Sequence, residues 1–292
     1  WKLKKIKIFS DNLKREELIN FHNNGSELFS IVKNEDLFEI LKKTLSKNKY
    51  FKKVSILNNF NFLDKYSLII NTDSTNIITK KYFSRKMLKK YNSIAYTTTI
   101  RHKKIYNDTA IQIFTKKGPL AFLPISENET SIVYSFHKKK NEDINYLIEK
   151  YNPKYKIQKI EKIKFFELKS INLRSYCHKN ILAFGDLLHK IHPLAGQGFN
   201  MTIRDIKILL EIITKKNSIG LPLDSSVCHE FEKKSKHNNL IFSNGIDFVH
   251  EFFNFERKTN NNFISKSIQL LGKNSNINKL FTKIADRGTL IY

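Results

Sequence analysis

Residues 92–169 carry one texture and the residues on either side carry another, and this interruption limits the possible folds more than any other feature of the chain. Segments 92–101, 109–115, 119–125, 130–136 and 157–169 are rich in Ile, Thr, Tyr and Phe and are separated by polar or Gly/Pro turns. That pattern predicts an antiparallel sheet of about five strands. Before it, residues 1–10 alternate as a strand does, and Asp11 with Asn12 reads as a turn. The segment NEDLFEILKKTLSK, 34–47, sets Leu37, Ile40, Leu41 and Leu45 at helical spacing, with Asn34 as N-cap and acids in the first turn. Residues 66–73 read as a short buried strand. After the sheet comes another buried strand, NILAFGD at 180–186, then a loop to Gly198 and a long helix, FNMTIRDIKILLEIITKK, at 199–216. From Ser225 onward helical patterns alternate with Asn/Lys/Ser loops.

The expected fold is therefore mixed α/β (α+β). One α/β domain, residues 1–85 and 170–225, is interrupted by an antiparallel-sheet domain, 86–169, and followed by a helical region, 226–292.

Charge is the next constraint. The 292 residues hold 52 Lys+Arg against 27 Asp+Glu, a net charge of +25, which first suggests nucleic acid or an anionic membrane as partner. The basic residues are 45 Lys and only 7 Arg, spread along the chain together with 31 Asn. Lys, Asn, Ile, Phe and Tyr have AT-rich codons, so much of the excess reads as base composition. An interface with nucleic acid would favour Arg, whose planar fork bonds bases and phosphates in pairs. No nucleic-acid partner is expected. Cys177 and Cys228 lack metal-ligand spacing and could form at most one disulfide, which points to a reducing, cytoplasmic setting. No run approaches the roughly 18 apolar residues of a membrane span, and the Lys-rich start lacks the apolar stretch of a signal peptide. The sequence opens on Trp1, inside a strand-like run, so more chain is expected upstream.

Chemistry concentrates in GDLLHKIHPLAGQGFNMTIRD, Gly185 to Asp205. An apolar strand delivers Asp186 at its carboxyl end, where open α/β sheets bind ligands, and a carboxylate there accepts hydrogen bonds from a polyhydroxyl chain. Pro193, Gly196 and Gly198 make a tight loop that a planar or phosphorylated ligand can approach without interference from Cβ atoms. The loop runs into a helix whose first N–H groups, near Phe199 and Asn200, would stabilise negative charge. Each residue also has a plainer reading. Asp186 could merely cap a strand end, and two glycines in G-x-G spacing are common at turns. His189 and His192 lack a thiol or a well-spaced third ligand, so no metal is expected. The joint pattern with Gln197, Asn200 and Asp205 is far more specific than any member.

That joint pattern, G-D-x-x-H-x-x-x-P-x-x-G-Q-G-x-N-x-x-x-x-D, resembles the second flavin-binding motif of class A FAD-dependent aromatic hydroxylases, most closely the ubiquinone-biosynthesis hydroxylase family. A second stretch, 107–135, is similar to the middle-domain pattern of that family through Ala110, Phe114, Gly118, Pro119, Leu120, Ala121, Leu123 and Pro124. A third, LFSIVKNEDLFEILKKTL, is similar to the helix that follows its valine-rich turn. The resemblance implies that Asp186 bonds the ribityl chain of FAD and that Pro193, Gly196, Gln197, Gly198, Phe199 and Asn200 lie along the isoalloxazine edge. It implies that the sheet, including Gly118, Pro119 and Leu120, covers the substrate side. The reaction implied is NAD(P)H-driven, O2-dependent hydroxylation of a prenylated phenol in ubiquinone biosynthesis, through a C4a-hydroperoxyflavin. Catalysis would then rest on the flavin and on exclusion of water, so no catalytic residue is singled out. A prenylated substrate implies peripheral contact with the inner face of a membrane, and a quinone-synthesis complex is a further implied partner.

The sequence departs from the family at two places. Members open with a strand, a G-x-G-x-x-G turn and a helix that hold the FAD pyrophosphate. The nine glycines here, at 25, 118, 185, 196, 198, 220, 245, 272 and 288, make no such turn. A fragment is therefore expected, a natural short form being the alternative. At TDSTNIITK, 72–80, the family's A-D-G-x-x-S-x-x-R turn is matched by Asp73, whereas Ser74, Ile77 and Lys80 stand for its Gly, Ser and Arg. Thr202 replaces a Gly in the late motif, and Leu187 and Leu188 replace small residues. A non-catalytic relative serving as a scaffold subunit in quinone synthesis is the alternative function. In the tail, Phe248, Phe252, Phe253 and Phe255 are expected to face the core, with a lipid-facing surface as the other reading.

Overall fold

The computed structural model describes residues 1–11, 16–22, 27–54, 65–137, 143–192, 197–259 and 266. The first elements are β1 (Lys2–Leu3), β2 (Lys5–Ser10), β3 (Glu17–His22), β4 (Phe29–Ser30), α1 (Asn34–Ser46), β5 (Ile69–Asn71) and α2 (Ile77–Tyr82). The middle of the chain forms β6 (Lys86–His102), β7 (Thr109–Thr115), β8 (Gly118–Pro124), β9 (Glu129–His137), α3 (Ile144–Tyr151), β10 (Ile157–Ile160) and β11 (Lys164–Leu173). Then come β12 (Cys177–His178), β13 (Ile181–Ala183), β14 (His189–Lys190), α4 (Gln197–Ser218) and α5 (Ser225–Thr259). The chain divides into two compact units, one containing Trp1–Lys53 and Asn92–Glu167, the other Val54–Tyr91 and Leu168–Glu251.

The first unit is built on a sheet in which β6, β9, β8, β7, β2 and β3 are neighbours in that order, with β10 also paired to β6. All neighbours are antiparallel except β2 and β7, which run parallel from Lys5↔Thr109 to Ser10↔Phe114. This parallel pairing corrects the expected domain limits. It carries residues 1–53 into the sheet unit, not into an α/β domain spanning 1–85.

Strand alternation then sorts the side chains. Ile111, Phe122 and Ile132 lie opposite one another on successive strands, as do Ile113, Leu120 and Tyr134, and both rows are buried. Helix α3 closes over this face with Ile144, Leu147, Ile148 and Tyr151. Its start is capped by Asp143, whose carboxylate accepts the N–H groups of Asn145 and Tyr146. Leu120 is completely buried in the sheet core. Gly118 serves the backbone: its φ is +151°, and an added Cβ would stand 1.9 Å from the carbonyl oxygen of Ser135. Only glycine lets β8 lie this close to β9.

Helix α1 forms where its periodicity predicts, with Lys33 as the N-cap residue and Asn34 inside the first turn. None of its residues is buried, and of its apolar stripe Leu37 is half-buried.

The second unit contains a three-stranded sheet in the order β12, β13, β5. Strands β13 and β5 are parallel, with Ile181↔Ile69, Leu182↔Ile70 and Ala183↔Asn71 in register. The run Ile181–Ala183 is apolar throughout because it is covered on both faces, as strands of parallel sheets are. Around it pack Ile78, Phe83, Leu173, Tyr176, Leu209, Ile212, Val227 and Phe231, the last four from α4 and α5. Residues 180–186 do not remain extended to Asp186, because Gly185 takes φ +63° and opens a single 3-10 turn, Gly185–Leu187.

Helix α5 is tied to this unit by a polar ladder spaced four residues apart. Asn239 donates to Asp205, Ser243 accepts from the amide of Asn172, and Asp247 accepts the hydroxyl of Tyr91. With the inward stripe polar, Phe248 turns outward and is two-thirds exposed, against the expected core position. Phe255 is exposed too, and the side chains of Phe252 and Phe253 lie outside the described residues.

Candidate functional site

Two carboxylates leave the second unit's sheet at one edge. Strand β5 ends at Asn71 and leads to Asp73; β13 ends at the register partner Ala183 and leads to Asp186. Both aspartates are exposed at the carboxyl ends of adjacent parallel strands, the edge where ligands of open α/β sheets bind.

The conformation of Gly185 explains how Asp186 reaches this edge. Left-handed backbone at Gly185 turns Asp186 out to solvent, while Leu187 and Leu188 fold back into the core. Their size, larger than the family pattern, is accounted for by that burial.

Around Asp73 the loop is held by its own side chains. One carboxylate oxygen accepts both the N–H and the hydroxyl of Thr75, each at 2.7 Å, and the Thr75 hydroxyl holds the Asp73 carboxyl below its ordinary range. Buried Asn71 binds the Thr79 hydroxyl and the Asn76 amide, and Asn76 caps α2 by accepting the Thr79 N–H. Asp73 is thus partly engaged in shaping its turn, whereas no such turn engages Asp186.

Beyond Asp186 the chain forms β14, which pairs with β11 through Asn172↔His189 and Ile171↔Lys190. His189 is buried, and its Nε2 lies 2.5 Å from the Asp205 carboxylate of α4. The other Asp205 oxygen accepts the Asn239 amide at 3.0 Å. His189 and Asp205, sixteen residues apart in one motif, therefore form one clamp between β14 and α4. This role was not foreseen from the sequence, although its signal was present as a His and an Asp at opposite ends of one motif. His192 is buried, with the ring of Tyr91 edge-on at 4.9 Å.

At the start of α4, Gln197 and Gly198 are half-buried and Phe199 and Asn200 exposed. The Gln197 side-chain oxygen accepts from Asn200 at 3.4 Å and from Arg204 at 3.3 Å, both farther along the helix. A helix of 22 residues presents unpaired N–H groups and the positive end of its dipole here. Pro193 and Gly196 lie outside the described residues. Gly118, Pro119 and Leu120 belong to the other unit and form the start of β8.

No protein-family model matches the chain. Individual relatives do. The chain is 29% identical over 157 residues to the 3-demethoxyubiquinol 3-hydroxylase of Escherichia coli, a match covering 50% of this chain and 40% of that protein. It is 24% identical over 260 residues to the mitochondrial ubiquinone biosynthesis monooxygenase COQ6 of Dictyostelium discoideum, covering 70% and 52%. Among solved structures, p-nitrophenol 4-monooxygenase PnpA of Pseudomonas putida aligns with a TM-score of 0.73 at 9% identity, over 99% of this chain and 82% of that one. HpxO of Klebsiella pneumoniae, solved with FAD and uric acid, aligns with a TM-score of 0.69 at 12% identity, covering 97% and 81%. The chain is similar in sequence to these ubiquinone-biosynthesis enzymes over part of their length, and it shares the fold of p-nitrophenol 4-monooxygenase PnpA and HpxO.

The matches to these curated hydroxylases span about half of their length. Set beside the hydroxylase pattern, the departures at 72–80 have a local cause. Ser74 needs no left-handed backbone, since the Asp73–Thr75 turn is closed by side-chain bonds. Ile77, where the hydroxylase motif carries Ser, packs against the core of the second unit. Lys80 is exposed on α2.

Proposed function

We propose that this chain carries the ring-binding and substrate-side parts of a FAD-dependent monooxygenase that hydroxylates a prenylated phenol with NAD(P)H and O2. The observation that supports it most is the placement of Asp186: a solvent-facing carboxylate at the carboxyl end of a parallel strand, followed by a clamp that anchors the start of a long helix. The donor set suits a flavin. Asp186 would accept hydrogen bonds from ribityl hydroxyls. The first-turn N–H groups of α4, at Gly198, Phe199 and Asn200, would favour the negative charge that the ring gains on reduction. Pro193 and Gly196 would lie along the ring edge. FAD, when bound, supplies hydride acceptance from NAD(P)H and activation of O2. The chain's own residues would bind and orient the ring. No G-x-G-x-x-G turn is present in the 292 residues to cradle the pyrophosphate.

Titration of the chain with FAD, followed by quenching of flavin fluorescence, tests this reading. Asp186→Ala should weaken binding about tenfold, the loss of one or two hydrogen bonds to a charged acceptor. Absence of flavin binding, or affinity untouched by the substitution, would overturn it.

A second reading, a non-catalytic relative acting as a scaffold in quinone synthesis, is favoured by Ile77, an apolar side chain packed inward where the hydroxylases carry a hydroxyl. Oxidation of NAD(P)H that rises when a phenol is added supports the enzyme; flavin binding without such oxidation supports the scaffold.

A further inference from the structure

Two turns into α4, Arg204 reaches back to the start of the helix. Gln197, Asn200 and Arg204 are three and four residues apart, so they share one face of α4. Side chains on a helix lean toward its N-terminus, which brings the Arg204 guanidinium to the Gln197 carbonyl: Nη2 donates to Oε1 at 3.3 Å. The Asn200 amide donates to the same oxygen at 3.4 Å. The guanidinium also lies over the ring of Phe242 in α5, its central carbon 4.5 Å from the ring centroid. The next residue, Asp205, is buried and bonded to His189 and Asn239, and this sets the rotation of α4 about its axis.

An arginine at this position is itself informative. The chain meets its need for basic residues with 45 Lys and only 7 Arg. A lysine ammonium supplies charge, but it lacks the flat fork that stacks on an aromatic ring and bonds a carbonyl oxygen at the same time.

The consequence falls on Gln197. A carboxamide offers an acceptor at one end and two donors at the other, and a half-turn exchanges them. With its oxygen held by two donors from farther along α4, the Gln197 NH2 is directed away from them, toward the N-terminal end of the helix. There it adds to the first-turn N–H groups a donor that need not reorient when negative charge develops beside it.

We propose that Arg204 is a positioning residue of the flavin site: with Asn200 it fixes the Gln197 side chain as a donor, and so favours the electron-rich reduced ring over the oxidised one. The proposal rests on the flavin reading and adds to it a residue that acts through Gln197.

The test combines the affinity for oxidised FAD, from fluorescence quenching, with the midpoint potential of bound FAD measured against a reference dye without oxygen. Together these give the affinity for both flavin states. Arg204→Met keeps an apolar stem on Phe242 and removes the donor. It should leave oxidised FAD bound within about threefold and weaken reduced FAD about tenfold, a fall in potential of about 30 mV. In a Gln197→Ala background the same substitution should change the ratio of the two affinities by less than about twofold, because its effect passes through Gln197. If Arg204→Met does not fold, Gln197→Glu decides: it replaces the NH2 by a second oxygen and should weaken reduced FAD at least about tenfold. FAD that binds with a potential untouched by Arg204→Met, or by Gln197→Glu where that variant decides, overturns the role of Arg204 and leaves the flavin reading standing. A tenfold effect that persists without Gln197 also overturns it, since the charge would then act directly. A chain that binds no FAD at all overturns both.

Discussion

Asp205 is the residue on which the second unit's polar interior turns. It is fully buried and joins His189 of β14 to Asn239 of α5. Removing one member of such a group leaves the others desolvated and unpaired, so Asp205→Ala should cost about 3 kcal/mol in denaturant unfolding. Asp205→Asn, which keeps the acceptor for Asn239, should cost less. Cys177 makes a different point about burial. Its thiol is pushed up to about 12, first by burial and then by donating its proton to Glu232 at 3.1 Å. Burial opposes the ionisation of Glu232, yet the Lys236 ammonium, the Cys177 thiol and the Tyr176 N–H outweigh it and hold that carboxyl below its ordinary range. A thiol raised in this way is neutral at physiological pH and a poor nucleophile. Iodoacetamide should therefore label Cys177 at pH 8 on the order of a hundredfold more slowly in the folded protein than in the unfolded one. The rate should climb only as pH approaches the raised value, and equal rates would show that the Glu232 contact is not formed.

At the scale of elements, two glycines with positive φ separate backbone strain from steric exclusion. Gly185, at φ +63°, has nothing within 4 Å of an added Cβ, so Gly185→Ala should cost only the left-handed penalty of roughly 1–2 kcal/mol. Gly118, at φ +151°, would push a Cβ into the Ser135 carbonyl, and β8 and β9 would have to part. Gly118→Ala should cost about 3 kcal/mol or more, read as the drop in unfolding midpoint relative to Gly185→Ala. Thr115 adds to this constraint, its hydroxyl donating to the Gly118 carbonyl and accepting the Gly118 N–H. Helix α5 shows the converse design, in which burial of polar groups is tolerated because every fourth residue, Asn239, Ser243 and Asp247, meets a partner.

For the whole molecule, the flavin proposal assigns the described residues only to the ring and its polyhydroxyl chain. With Asp186 and the start of α4 as the binding groups and no glycine-rich turn in the sequence, FAD and FMN should bind this chain with affinities within a few-fold of each other, since the adenylate half finds no cradle. Parallel fluorescence titrations check this, and a preference for FAD above about a hundredfold would locate a nucleotide site that these residues do not account for. The charge of +25 matters at this scale as a long-range attraction to anionic surfaces.

What could be read from the sequence was local. The switch of periodicity at both ends of residues 92–169 marked the sheet, the apolar run ending in Gly-Asp marked Asp186 at a strand end, and the 3.6 spacing marked α1 and α4, whereas α5 is one continuous helix where alternating helices and loops were expected. These follow from side-chain alternation and capping within a few residues of chain. The tertiary structure decided everything that depends on partners far apart in sequence. β2 pairs with β7 about a hundred residues away and takes the N-terminal segment into the sheet unit, a choice that alternation cannot express because either edge would satisfy it. The tasks of His189 and Asp205 emerged only when β14, α4 and α5 came together, and burial of Leu120 only when β8 was flanked on both sides. The apolar stripe of α1 was legible as a stripe, but whether it meets a core is set by what folds against it, and none of its residues is buried.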